Sequence, residues 1–136
     1  MPNITQVVYT EKNMTTLKRG VHAAELDQLL SSIGPYTLFA PSDLAFKKLD
    51  KSVLENLLQP ESITKLKNLI NSHIVSGKIN YKDLKEDEIL KTVNGGELHV
   101  HVKGGKVYIE EALVQSRDVQ TSNGIIHSLD TVMMKN

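Results

Sequence analysis

"TLFAPSDLAF", from Thr37 to Phe46, changes secondary structure within a few residues. Thr37–Ala40 reads as a short apolar strand. Ser42 has the side chain of a helix N-cap, and Asp43 suits the positive end of the helix dipole. Leu44, Phe46 and Leu49 are the candidates for burial on that helix. Strand-to-helix corners of this kind hold phosphates in many proteins. Whether this one does chemistry or only builds a core depends on what surrounds it.

Toward the N-terminus the pattern is helical. Asn3 can cap a short helix with Gln6 as its reciprocal partner, and Ile4, Val7 and Val8 then share a face. A second helical stretch is expected from about Met14 to Leu30, with Leu17, Val21, Ala24 and Leu29 as its stripe. Gly20 weakens it by ~1 kcal/mol relative to Ala. Gly34-Pro35 is a turn signal. Beyond the corner, Ser52–Glu55 ("SVLE") predicts a capping box. Pro60 suits a first helical position. Ile63, Leu66, Leu69, Ile70 and His73 form one apolar stripe, with Lys65, Lys67 and Asn68 turned to water.

From about residue 90 the period falls to two. Leu98, Val100 and Val102 alternate with Glu97, His99, His101 and Lys103. Gly95-Gly96 and Gly104-Gly105 favour tight hairpins. "KVYIEEALV" gives one or two further strands, "SRDVQTSNGI" reads as a loop around Asn123-Gly124, and "IIHSLDTVMM" closes the chain as a strand. Helices first and an antiparallel meander later predict an α+β fold. No repeat, linker or low-complexity tract interrupts the chain, so residues 1–136 are expected to form a single domain.

Composition narrows the function. The 136 residues contain no cysteine, which removes disulfides, thiolate catalysis and cysteine zinc sites. Sixteen basic residues balance sixteen acidic ones, so there is no electrostatic footprint for nucleic acid or an anionic membrane. The aromatics (Tyr9, Tyr36, Phe39, Phe46, Tyr81, Tyr108) are scattered and make no base-stacking platform. The N-terminus lacks the basic start and apolar stretch of a signal peptide. No apolar run approaches the ~18 residues of a membrane span, so a soluble chain without direct membrane insertion is expected.

Three stretches resemble the signatures of the fasciclin-like domain family. "GPYTLFAPSDLAFKKL" (Gly34–Leu49) is similar to its first signature, "LINSHIVSGKI" (Leu69–Ile79) to its central segment, and "SNGIIHSLDTVMM" (Ser122–Met134) to its last. The chain departs from the pattern at Ser72, in place of a usual tyrosine, at Glu25, in place of a common glycine, and at Ser76, in place of a common proline. The resemblance implies a compact wedge of antiparallel strands with flanking helices. It implies a non-enzymatic, single-domain adhesion or binding module, usually extracellular, periplasmic or membrane-associated, without a cofactor. The expected partner is a protein or a surface carbohydrate. One alternative is a soluble accessory subunit of a larger assembly, which would suit the missing signal peptide; another is a metal-dependent enzyme or metal carrier using His99 and His101. The chain is expected to be monomeric.

The resemblance assigns structural roles to Phe39, Pro41, Phe46, His73, Asn123, Gly124 and His127. It also makes Asp118-Val119 the match to an Asp-Ile pair that integrin-binding members use, which places the candidate partner-binding group at Arg117, Asp118 and Val119. The plainer reading of those residues is a solvent-facing loop. For catalysis, no G-x-S-x-G elbow is present, and Gly104–Lys106 lacks the spacing and following Ser/Thr of a phosphate loop. His127 and Ser128 are adjacent in a strand and face opposite ways. His99 and His101 are the one metal-like pair, needing a third ligand such as Glu97 or Glu110. Their plainer reading is an exposed polar strand face. Asn3-Ile4-Thr5 and Asn13-Met14-Thr15 match glycosylation acceptors.

Overall fold

Asn3 opens the first helix as its sequence predicts: its side chain accepts the Gln6 N–H at 2.9 Å, and Gln6 Oε1 accepts the Asn3 N–H at 2.9 Å. The helix, α1 (Ile4–Thr10), buries Ile4, Val7 and Val8. A computed structural model of the chain describes residues 1–115 and 118–133.

Helix α2 spans Thr15–Ala23 and ends well short of the expected Leu30. The chain turns at Glu25, whose φ is 59°. Leu26 N–H reaches back to the Val21 carbonyl at 3.0 Å and Glu25 N–H to the His22 carbonyl at 3.2 Å. This interleaved pair is a Schellman termination, and the buried Leu26 and Val21 supply its apolar contact. Glycine normally takes the left-handed position because a Cβ there costs roughly 1–2 kcal/mol. Past this turn Leu30, rather than Leu29, enters the core from a short 3₁₀ turn, Leu29–Ser31.

The corner forms as read. Strand β1 (Tyr36–Pro41) leads to Ser42, whose Oγ accepts the Ala45 N–H at 3.3 Å to cap α3 (Asp43–Lys47). Asp43 does more than favour its own helix: Oδ1 accepts the Thr16 N–H at 2.8 Å and Oδ2 the Thr15 hydroxyl at 2.7 Å, so it caps α2 as well. Helix α3 is too short to bury two faces. Ala45 and Phe46 are buried, whereas Leu44, an expected core residue, is 57% exposed. Helix α4 (Lys51–Leu57) takes Asp50 as its N-cap, so Ser52 falls inside the helix instead of capping it. A 3₁₀ turn begun by Pro60 feeds α5 (Ile63–Asn71), which buries Leu66 and Ile70.

The remaining strands are β2 (Ile74–Ser76), β3 (Ile89–Lys91), β4 (Glu97–Lys103), β5 (Lys106–Ile109), β6 (Ala112–Leu113), β7 (Val119–Thr121) and β8 (Gly124–Leu129). One sheet has the order β2-β1-β8-β7 and the other β3-β4-β5-β6. The second is the expected meander. In the first, β1 and β8 run parallel, from Tyr36 beside Gly124 to Pro41 beside Leu129, which corrects the expectation of purely antiparallel pairing. The stretch read as a loop also contains a strand, because β7 pairs with β8 antiparallel around a Ser122-Asn123 turn.

Two apolar clusters lie on opposite faces of the first sheet. Leu38, Ala40 and Ile126 join α1, α2, α3 and α5 in one. Phe39 and Leu129 join β3, β4, β5 and β6 in the other. Both faces of β1 and β8 are therefore covered, which explains their continuous burial. Among the described residues no helix is long and apolar enough to cross a membrane.

Candidate functional site

The last signature supplies a rigid floor. Asn123 is buried, and its amide ties three segments together: Oδ1 accepts the Ile4 N–H at 3.0 Å, and Nδ2 donates to the Leu30 and Ser32 carbonyls at 2.8 Å each. Gly124 lies so close to β1 that a Cβ would stand 1.9 Å from the Tyr36 carbonyl oxygen. Pro41 ends β1 in the buried interior, and Phe46 packs in the helical cluster.

Two buried histidines act as neutral clamps. His73 lies just past α5; its Nδ1 donates to the Leu69 carbonyl at 2.8 Å and its Nε2 accepts the Met133 N–H at 3.1 Å. Burial pushes its pKa down to about 4, against an opposing pull from the Leu69 carbonyl. Ser72 also donates to that carbonyl, so the adjacent Ser72 and His73 share an acceptor instead of forming a nucleophile and base. His127, on β8, stacks on Phe39 with ring centroids 5.6 Å apart. Its Nδ1 accepts the Asp118 N–H at 3.1 Å and its Nε2 meets the Ile79 carbonyl at 2.8 Å. Burial lowers its pKa; the Ile79 carbonyl and the Asp118 charge oppose the shift. With both nitrogens held by backbone, His127 has no spare atom for Ser128.

These contacts gather a surface the sequence does not announce. Thr37, on β1, donates to the Gly77 carbonyl at 2.7 Å and accepts the Ile79 N–H at 2.8 Å, hooking the 77–81 segment to the sheet. Asp118 Oδ1 then accepts the Tyr81 N–H at 2.9 Å. Asp118 is exposed and has a φ of 56°; Val119 is half-buried against the helical cluster. Arg117 lies outside the described residues. The only sequence hint of the Thr37 hook is a threonine in an otherwise apolar strand.

The metal-like pair does not converge on one point. His99 Nδ1 lies 3.1 Å from Glu110, whereas His101 Nδ1 lies 3.7 Å from Glu86. Glu97 pairs with Lys91 at 2.7 Å. His101 gathers instead with Glu86 and Asp87, whose donor atoms lie within 4.8 Å of one another on the surface. A larger groove, about 910 Å³, separates α5 from the β3–β4 hairpin. Its polar groups bond each other: Asn94 donates to the Asn68 carbonyl at 3.1 Å and the Thr92 hydroxyl to Asn94.

Comparison with known proteins agrees with this architecture. The chain is 39% identical over 131 residues to Protein sll1483 of Synechocystis sp., covering 96% of this chain and 72% of that protein. It is 33% identical over 134 residues to the transforming growth factor-beta-induced protein ig-h3 of Sus scrofa, covering 97% of this chain but 19% of that protein. A solved FAS1 domain pair from the insect cell adhesion molecule Fasciclin I superposes with a TM-score of 0.88 over 98% of this chain and 51% of that one; at 19% identity this shows the fold. The family model of the Fasciclin domain matches residues 12–135. The chain belongs to the fasciclin domain family.

Proposed function

We propose that the chain is a non-enzymatic recognition module, binding a protein or carbohydrate partner at a cell surface or matrix through the surface around Asp118. The observation that carries this reading is an exposed aspartate held at two points, its carboxylate accepting the Tyr81 N–H and its main-chain N–H donating to His127 Nδ1, next to the half-buried Val119. A carboxylate held in place binds with less ordering loss than one on a free loop. It suits a partner that offers a cation or a metal ion. The cell-adhesion role of the Fasciclin I protein supports the same direction.

Asp118→Asn tests it. The amide keeps an oxygen for the Tyr81 N–H and removes the charge, whereas Asp118→Ala also discards a charge-assisted hydrogen bond worth roughly 1.5–3 kcal/mol. Attachment of cells to immobilised protein should fall for Asp118→Asn with an unchanged melting temperature. Phe46→Ala should lower the melting temperature, because truncating a buried Phe costs about 3–5 kcal/mol. Parental attachment by a folded Asp118→Asn variant would move the binding surface elsewhere.

A further inference from the structure

His127 is bonded at both ring nitrogens, and the bonds dictate its protonation. The Asp118 main-chain N–H can only donate, so Nδ1 must carry a lone pair. The Ile79 carbonyl can only accept, so Nε2 must carry the proton. One tautomer of the neutral ring satisfies both. A second proton would turn Nδ1 into a donor facing a donor, and the Asp118 main chain would lose its partner. The clamp has little slack, because Phe39 stacks on the ring and the ring is buried.

We propose that His127 is the positioning residue of the Asp118 surface: neutral, it holds Asp118 against the 77–81 segment, and protonated, it releases it. The functional meaning rests on the reading of Asp118 as the recognition carboxylate, so partner attachment weakens as the solution is acidified. Among the described residues, the groups facing the ring are few. Phe39 comes from β1, and β7 contributes no ionisable side chain. The 77–81 segment contributes the Ile79 carbonyl and carries Lys78 and Tyr81 as its ionisable residues. Asp118 is the charge that acts on the ring, and it favours protonation, but burial outweighs it. The clamp therefore closes when the ring loses its proton and opens at a pH below the ordinary histidine value of ~6.5.

The test needs no partner. In the full chain, the His127 ring and the amides of Asp118, Tyr81 and Leu26 are followed by NMR from neutral pH downward, with exchange rates corrected for their intrinsic pH dependence. The Asp118 amide should lose about tenfold or more of its protection with the same midpoint as the ring. Leu26, in the α2 termination, should keep its protection. His127→Asn places an amide oxygen near the position of Nδ1 and does not titrate, so Asp118 should stay protected throughout and attachment should lose its pH dependence. An Asp118 amide that stays protected after the ring has charged overturns the proposal. So does a ring that stays neutral until the whole chain unfolds, or a folded His127→Asn variant that loosens with the parental midpoint. If His127→Asn does not fold, the parental titration decides alone. If the clamp titrates as expected but Asp118→Asn attaches normally, the positioning role stands and the recognition reading fails.

Discussion

Replacing Asn123 by alanine should destabilise the chain more than its size suggests. The side chain has no apolar bulk worth noting, but its amide satisfies three backbone groups from two other segments. Removing it orphans the Ile4 N–H and the Leu30 carbonyl in the interior, and frees the Ser32 carbonyl in a partly exposed place. An orphaned buried polar group costs about 1–3 kcal/mol, so the two interior ones together cost about 2–6 kcal/mol. Set against a total of about 5–15 kcal/mol, that is a large share. At about 3–5 °C per kcal/mol for a chain of this size, the melting temperature should drop by about 6–30 °C. Circular-dichroism melts at neutral pH measure the drop. Asn123→Asp is the informative companion. It keeps an oxygen for Ile4 but turns a second oxygen toward two carbonyls, so it should be at least as unstable as the alanine variant. An alanine variant melting within about 2 °C of the parent, or an aspartate variant matching the parent, would refute the argument that this amide holds the segments together.

Glu25→Gly should stabilise by roughly 1 kcal/mol, because the left-handed position at the end of α2 no longer carries a Cβ; chemical denaturation should show a raised midpoint with an unchanged slope. Gly124→Ala should destabilise by about 1–3 kcal/mol or more, since its methyl would overlap the Tyr36 carbonyl and force β1 and β8 apart; a melting temperature equal to the parent's would show that the sheet yields without cost. His73, with a folded pKa of about 4, binds its proton more weakly folded than unfolded. The unfolded chain then takes up protons first, so stability is full above about pH 6.5 and declines by about 3 kcal/mol toward pH 4. A ring titrating at or above the ordinary value in NMR would contradict this. Zinc titrated calorimetrically should bind no tighter than micromolar, because His99 and His101 face different carboxylates; one-to-one binding tighter than that would place a metal centre on this strand.

Features whose causes lie within a few residues were legible. Asn3 and Gln6 cap each other across one turn, and Ser42 caps the helix that follows it. Features whose partners come from afar were not. The N-terminus of α2 is capped by Asp43 from the next helix, and nothing near Met14 signals that. Ser52–Glu55 has the capping pattern, yet Asp50 begins the helix first. The parallel β1–β8 pair was hidden because strands buried on both faces show no alternation to give their orientation away. Family signatures marked His127 and Asp118 as separate points, one structural and one exposed. That the histidine holds the aspartate depends on β8 lying beside the entry to β7, which a linear reading does not contain.

The parallel pairing also sets an order of assembly. Until Gly124–Leu129 has been synthesised, β1 has only the three-residue strand β2 to lie against, and its other edge is open. That edge runs through Leu38, Phe39 and Ala40, an apolar row of the kind that recruits other chains. Contacts of such long sequence separation form late and slowly. In a nascent chain the centre of the sheet is therefore incomplete until the last strand emerges, and an unpaired apolar edge is prone to aggregation. A fragment ending before Gly124 should aggregate instead of resting as a partly folded domain.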